Sequence, residues 1–197
     1  MARPKGTTRA KKPILKKEFE RLLNATHKSL SIRSSTKIKL TSAFTLLYLT
    51  GCRVSEIIEL NTKDVELMIQ NNEYSLSNNT KTKTSRLISF DSEHKQIKFL
   101  KKILPVNSCY LFARNNSNKP MSVSALKLLM NQFIHRVLGE LYSTHSFRAG
   151  YITTAHQLGL SLEHIRQDIG HANISTTARY ATVTSDEISQ GKSLREW

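Results

Sequence analysis

Two helical patterns meet at the stretch Gly51-Cys52-Arg53-Val54-Ser55-Glu56. Upstream, residues 35–50 carry apolar side chains at helical spacing, and Gly51 marks the end of that pattern. Downstream, a second apolar pattern begins at Val54 and is long enough for one short helix. The stretch therefore predicts two helices joined by a tight turn, with Arg53 at the start of the second helix.

Helical spacing recurs through most of the chain on both sides of this turn. Pro105 and Pro120 fall between such patterns and mark connecting loops. The further predicted helices cover residues 14–25, 92–103, 122–140, 146–158, 161–168 and 174–181. The apolar side chains that we expect in the core include Phe44, Leu47 and Tyr48 and, farther along, Leu128, Leu129 and Phe133.

The period of the apolar residues changes between residues 65 and 90. Residues 65–69, 73–77 and 86–90 each have the pattern of a short strand, and polar residues at 71–72 and 78–85 supply turns. These segments predict three antiparallel strands. The fold class that follows is mainly α with a small antiparallel three-stranded sheet (α+β), in a single domain.

Charge is the unusual part of the composition. The 197 residues include 30 Lys+Arg against 15 Asp+Glu, which gives a net charge of +15. Such a surplus predicts attraction to a polyanion, either nucleic acid or an anionic membrane face. No apolar run is long enough to span a membrane, no secretory signal is present, and two cysteines make neither a disulfide framework nor a zinc site. We therefore expect a soluble, cytoplasmic and nucleoid-associated protein that has no membrane partner.

The first 13 residues are basic and contain no carboxylate. Pro4, Gly6 and Pro13 break any regular element there, so residues 1–13 are predicted to be a flexible arm. Such an arm binds phosphates or enters the minor groove of DNA, although a merely solubilising tail has the same composition. The candidate DNA contacts in the arm are Arg3, Lys5, Arg9, Lys11 and Lys12.

Four stretches concentrate cations and hydrogen-bond donors: residues 51–56, residues 81–86, His145-Ser146-Phe147-Arg148, and Gly170-His171 with Tyr180 nine residues later. Two arginines suit the oxygens of a phosphate, because the guanidinium fork matches phosphate geometry. A tyrosine can serve as a covalent nucleophile, and lysine or histidine can move the protons. The sequence shows no carboxylate cluster for Mg²⁺, so these residues predict phosphoryl transfer without metal or cofactor.

As a set, these motifs resemble the catalytic domain of the tyrosine recombinases, which include phage-type integrases, Xer-type resolvases and small DNA invertases. The resemblance runs from about Lys16 to about Thr184 and is strongest toward the small fimbrial-invertase-like members, which consist of the catalytic domain alone. It implies the tyrosine recombinase catalytic-domain fold over residues 14–184. The family often has His-x-Leu-Arg-His where this chain has Phe147 and Ala149.

The resemblance also implies a role for each polar residue. Tyr180 would attack a DNA phosphate and form a 3′-phosphotyrosyl bond, and Arg53 and Arg148 would hold the non-bridging oxygens. His171 would donate to the same charge, and His145 would handle the proton of the nucleophile. The implied lysine, which protonates the leaving 5′-oxygen, is Lys81 by register, with Lys83 as the alternative. Glu56 would support the site, and Lys83 and Arg86 would contact DNA. Tyr142 and Tyr151 lack the spacing of a nucleophile and are expected to be packing residues.

The implied function is site-specific recombination of double-stranded DNA, with inversion, integration or excision as the result. The resemblance implies a homotetramer on two DNA sites, and accessory DNA-bending proteins are possible partners. Residues 185–197 would form a helix that docks on a neighbouring protomer; the alternatives are a frayed terminus and a helix that packs on its own domain. Two alternatives are a DNA-binding accessory or regulatory protein without independent catalysis and a type IB topoisomerase, which would relax DNA without joining sites.

Overall fold

The computed structural model describes residues 11–76, 86–89, 93–104, 110–114, 117 and 119–178. These residues form nine helices and two strands, in an order close to that expected. The helices are α1 (Lys16–Lys28), α2 (Ser34–Thr50), α3 (Val54–Ile57), α4 (Thr62–Asn71), α5 (Lys95–Ile103), α6 (Val123–Leu138), α7 (His145–Gln157), α8 (Leu162–Ile169) and α9 (Ile174–Ala178), and the strands are β1 (Glu73–Leu76) and β2 (Arg86–Ser89).

Helix α2 lies at the centre of the core. Its apolar side chains point in nearly every direction, which is typical of a helix enclosed by others. The ring of Phe44 contacts Phe147 of α7 and Phe133 of α6, with centroids 5.6 and 6.0 Å apart. At its other side, Tyr48 stacks on Phe19 of α1. The helix therefore holds α1, α6 and α7 in fixed positions around the turn at Gly51.

The prediction of a strand at residues 65–69 is wrong, since these residues belong to α4. Asn61 and Asp64 form a reciprocal capping box: the Asn61 side chain accepts from the Asp64 amide at 2.9 Å, and the Asp64 carboxylate accepts from the Asn61 amide at 2.8 Å. Val65 and Met68, three residues apart, then bury their side chains on one face. The cap and the helical spacing outweigh the β-propensity of this short apolar run.

The described sheet has two antiparallel strands rather than the three expected. Tyr74 of β1 pairs with Ile88 of β2, and Leu76 pairs with Arg86. The predicted strands at 73–77 and 86–90 match these two elements within a residue. The turn predicted at 78–85, which contains Lys81 and Lys83, lies outside the described residues.

The last residues of the predicted arm pack on the domain. The Lys12 amide donates to the Leu141 carbonyl at 3.0 Å, and the Ile14 amide donates to the Ser146 carbonyl at 2.9 Å. Gly150 permits this approach, because a Cβ at that position would lie 2.0 Å from the Ile14 carbonyl oxygen. Residues 1–10 of the arm and the predicted tail at 185–197 lie outside the described part of the chain.

The prediction that Leu128 lies in the core is wrong. Leu128 is 61% exposed, whereas Phe133 is buried and Leu129 is partly buried. Helix α6 turns Leu126, Met130 and Phe133 toward the core, and a residue two positions after Leu126 faces away from that stripe. Within the described ranges, no helix has both the length and the apolar character needed to cross a bilayer.

Candidate active site

Arg53 stands at the start of α3, where the sequence placed it. Its backbone amide donates to Glu56 Oε2 at 2.7 Å, and its Nη1 donates to Glu56 Oε1 at 2.7 Å. The Glu56 side chain is only 1% exposed, while that of Arg53 is 39% exposed. A buried carboxylate thus fixes the arginine in orientation and leaves part of its guanidinium accessible. A longer contact of 3.5 Å joins Arg53 Nη2 to the Gly170 carbonyl.

Arg148 is buried, with 6% of its surface exposed. Its Nη1 donates to the Gly51 carbonyl at 2.9 Å, its Nη2 donates to the Ile169 carbonyl, and its Nε donates to His171 Nε2 at 3.1 Å. Gly51 closes α2 with a φ of 61°, a left-handed conformation that suits glycine. The guanidinium therefore spans two turns, one after α2 and one after α8, and has a single orientation.

His171 follows the glycine that ends α8. Its Nδ1 lies 3.0 Å from Thr177 Oγ1 of α9. Its backbone amide donates to the Arg166 carbonyl at 2.9 Å, and its carbonyl accepts from Arg166 Nη1 at 2.8 Å. Because Nε2 accepts from Arg148, the neutral ring carries its proton on Nδ1 in this arrangement. His171 is thus held by α7, α8 and α9 together.

His145 is the first residue of α7. The preceding Thr144 amide donates to Asn131 Oδ1 at 2.9 Å, which anchors this end of the helix to α6. Burial lowers the pKa of His145 below its ordinary value, and the positive charges of Lys127, Arg148 and Arg53 lower it further. The imidazole is therefore neutral near pH 7 and able to accept a proton.

The structure brings together four of the six predicted catalytic side chains, Arg53, His145, Arg148 and His171, with Glu56 behind the first. Lys11 and Lys12 lie elsewhere, at the loop before α7, where Lys11 Nζ donates to the Glu140 carbonyl at 2.8 Å. The remaining predicted site residues lie outside the part of the chain that the structure describes. They are Arg3, Lys5, Arg9, Lys81, Lys83, Tyr180 and the side chain of Arg86. Among the described residues, no three His, Cys, Asp or Glu side chains are grouped so that they could hold a metal ion.

Sequence reasoning missed two contributions to this site. Lys127, on α6, has no motif around it, and only the tertiary structure places its charge near His145 at the start of α7. Tyr151, expected to be a packing residue, donates its hydroxyl to Asp168 Oδ2 of α8. The two residues are 17 apart in sequence, and no local pattern connects them.

The comparisons with known proteins agree with this geometry. The model of the phage integrase family matches residues 12–187. Tyrosine recombinase XerC of Staphylococcus epidermidis is 28% identical over 149 residues, which cover 73% of this chain and 49% of XerC. The chain therefore spans about half the length of that relative.

Two solved structures superpose on nearly the whole chain. XerA recombinase has a TM-score of 0.70 at 18% identity and covers 100% of this chain and 68% of its own. XerH recombinase, bound to its difH substrate before cleavage, has a TM-score of 0.67 at 18% identity and covers 95% of this chain and 55% of its own. At this identity the likeness shows the fold, that of a tyrosine recombinase catalytic domain. With the family match over residues 12–187, it shows that the chain belongs to the phage integrase family.

Proposed function

We propose that this chain is the catalytic domain of a site-specific DNA recombinase, which cuts and rejoins DNA through a 3′-phosphotyrosyl intermediate. The observation that carries the proposal is the convergence of Arg53, Arg148 and His171 at the turns after α2 and α8. His145, at the start of α7, lies near enough for the charges of both arginines to lower its pKa. Two fixed guanidinium groups in one partly enclosed site suit the charge that develops on a phosphate in transfer. Solved structures of the same fold contain bound DNA, such as that of XerH with its difH substrate.

In the proposed reaction, the phenolic oxygen of Tyr180 attacks the scissile phosphorus and its proton passes to the neutral His145. The bond from phosphorus to the 5′-oxygen breaks, and Lys81 protonates that oxygen, with Lys83 as the alternative donor. Arg53, Arg148 and His171 stabilise the charge on the non-bridging oxygens. The tyrosyl phosphodiester keeps the bond energy, so that a 5′-hydroxyl of a second strand can reverse the step and rejoin the DNA.

The pairing of Arg148 with His171 adds one requirement. His171 Nε2 accepts from Arg148, so it can donate to a phosphate oxygen only after it gains a proton or exchanges its tautomer and its hydrogen bond with Arg148 breaks. Binding of the anionic phosphate favours the protonated form of the imidazole. We therefore propose that His171 becomes a donor only when DNA is bound.

The proposed partner is double-stranded DNA, in a homotetramer on two sites, with accessory DNA-bending proteins as further partners. The charge of +15 supports DNA as a partner and a location at the nucleoid. In this proposal residues 1–13 act as a DNA-contacting arm together with Lys83 and Arg86. Residues 185–197 act as the segment that docks on a neighbouring protomer.

Covalent trapping tests the function. The protein is incubated, without divalent metal, with nicked suicide fragments cut from its own genomic neighbourhood, then denatured and examined for a protein–DNA adduct. The wild type should form an adduct. Tyr180→Phe should form none while it still retards the same DNA in a gel. Binding without an adduct by the wild type would favour an accessory DNA-binding protein, and relaxation of a plasmid that lacks any recognition site would favour a topoisomerase.

A further inference from the structure

Tyr151 lies one helical turn after Arg148 on α7. Its ring presses on the backbone of Gly51: a Cβ added to that glycine would lie 2.8 Å from Tyr151 Cγ and 2.8 Å from Cδ1. The Gly51 carbonyl accepts from Arg148 Nη1. One face of the tyrosine ring therefore supports the turn that holds one end of the Arg148 guanidinium.

The hydroxyl of Tyr151 reaches the other turn. It donates to Asp168 Oδ2, and Asp168 immediately precedes Ile169, whose carbonyl accepts from Arg148 Nη2. Gly170 then ends α8 with a φ of 64°, and His171 follows with its Nε2 on Arg148 Nε. The Ile169 carbonyl and His171 Nε2, which both accept from Arg148, thus belong to the three residues that follow Asp168.

We propose that Tyr151 and Asp168 are positioning residues, which fix the distance between the turn after α2 and the turn after α8 and so set the orientation of Arg148 and His171. The proposal rests on the proposed function, since it assigns the pair to the step in which Arg148 and His171 stabilise the phosphate. Neither residue touches the reacting atoms. A hydroxyl–carboxylate bond suits this purpose because it is short, directional and stronger than a neutral hydrogen bond.

The experiment compares Tyr151→Phe, Asp168→Leu and Asp168→Asn with the wild type. Phenylalanine keeps the ring on Gly51 and removes only the bond to Asp168. Leucine removes the acceptor, whereas asparagine keeps an amide oxygen that can accept the tyrosine hydroxyl. Tyr48→Phe is the matched control, because it removes a hydroxyl from a half-buried tyrosine that stacks on Phe19 in a different part of the core.

Three quantities are measured on each variant: the single-turnover rate of adduct formation on saturating suicide DNA, the Kd for that DNA, and the melting temperature. Tyr151→Phe and Asp168→Leu should slow adduct formation about 10- to 100-fold, as expected when a catalytic group is slightly misplaced. Their Kd should stay within about twofold of the wild type. The double variant Tyr151→Phe/Asp168→Leu should be no slower than either single variant, and Asp168→Asn should restore most of the rate.

Each result has one meaning. A Tyr151→Phe protein that forms the adduct as fast as the wild type overturns the positioning proposal and leaves the recombinase proposal standing. The positioning proposal is also overturned if adduct formation, DNA affinity and melting temperature all fall together, because that pattern indicates a purely structural contact. A wild type that forms no adduct defeats the proposed function itself, and the positioning proposal with it.

Discussion

At the scale of single residues, the site depends on buried groups that hold the exposed ones. The carboxylate of Glu56 takes two hydrogen bonds from Arg53, and its own side chain is almost inaccessible. A buried carboxylate is costly unless it is paired, so the pair is stable only as a unit. The motif at residues 51–56 predicted both residues as part of the site, but it did not predict how deeply the Glu56 side chain is buried.

Substitution of Glu56 by Ala should weaken both stability and catalysis. The free energy of unfolding should fall by about 1–3 kcal/mol, less than for a fully buried pair because Arg53 is partly exposed. Adduct formation should slow by at least about tenfold, since Arg53 loses its orientation. Urea denaturation and single-turnover cleavage measure the two effects. Glu66→Ala, at an exposed carboxylate on α4, is the control; an equally large effect there would argue against a specific role of Glu56.

Replacement of Lys127 by Met should raise the pKa of His145. Burial, the largest cause of the lowered pKa, remains, but one of three nearby positive charges is removed. In the wild type, His145 of the unfolded chain is protonated at a higher pH than His145 of the folded protein, because folding lowers its pKa. The contribution of His145 to stability is therefore present above the unfolded pKa of about 6.5 and is lost as the pH falls toward the folded pKa.

An NMR titration of the His145 ring checks this prediction, together with the pH dependence of adduct formation. Both the midpoint and the acid limb of the rate profile should move to higher pH in Lys127→Met. Lys101→Met, an exposed lysine on α5, should leave both unchanged. A His145 midpoint that does not move in Lys127→Met would mean that the lysine does not act on this imidazole.

At the scale of elements, α4 shows where local sequence signals compete. Residues 65–69 are a short, mostly apolar run. The spacing of the apolar residues in so short a run is compatible with either a helix or a strand. The deciding signal is the capping box of Asn61 and Asp64, which precedes the run. The Tyr74 hydroxyl also donates to Asp64 Oδ1 at 2.8 Å, which ties α4 to β1. The strands at 73–76 and 86–89 were predictable because polar turns bound them.

Asn61→Ala should therefore destabilise the protein by about 1 kcal/mol, the usual contribution of a helix N-cap. Asn61→Asp keeps the acceptor for the Asp64 amide and should recover much of the loss, although it brings two carboxylates together. The midpoint of urea denaturation reports the change. Lys63→Ala, an exposed position in the first turn, serves as the control. If the two alanine variants melt alike, the cap is not what holds α4.

At the scale of the whole molecule, the order of the helices other than α4 and the positions of four candidate site residues followed from motifs and spacing. Arg53, His145 and Arg148 lie in local patterns that a single sequence displays. Contacts between distant segments did not follow, because they depend on how separate helices lie against one another in the folded protein. Tyr151 with Asp168 and Lys127 with His145 are of this kind. The exposed Leu128 belongs here too, since the phase of α6 is set by its neighbours.

The net charge of +15 leads to a prediction for the whole surface. Binding of DNA should weaken steeply with salt, because each phosphate contact releases a counterion. Lys11→Ala/Lys12→Ala should lower the slope of log K against log salt by about 2 if both lysines contact phosphates. Fluorescence anisotropy on one duplex at several salt concentrations measures the slope. Lys101→Ala/Lys102→Ala on α5 is the matched control, and an unchanged slope in the first variant would remove both lysines from the DNA interface.

The proposed function requires that a tyrosine of this chain becomes linked to DNA at a site built by Arg53 and Arg148. The most direct test is to digest the trapped adduct with nuclease and protease and to identify the modified peptide by mass spectrometry. We expect a nucleotide 3′-phosphate on the hydroxyl of Tyr180. A linkage to any other residue, or to a 5′-phosphate, would contradict it.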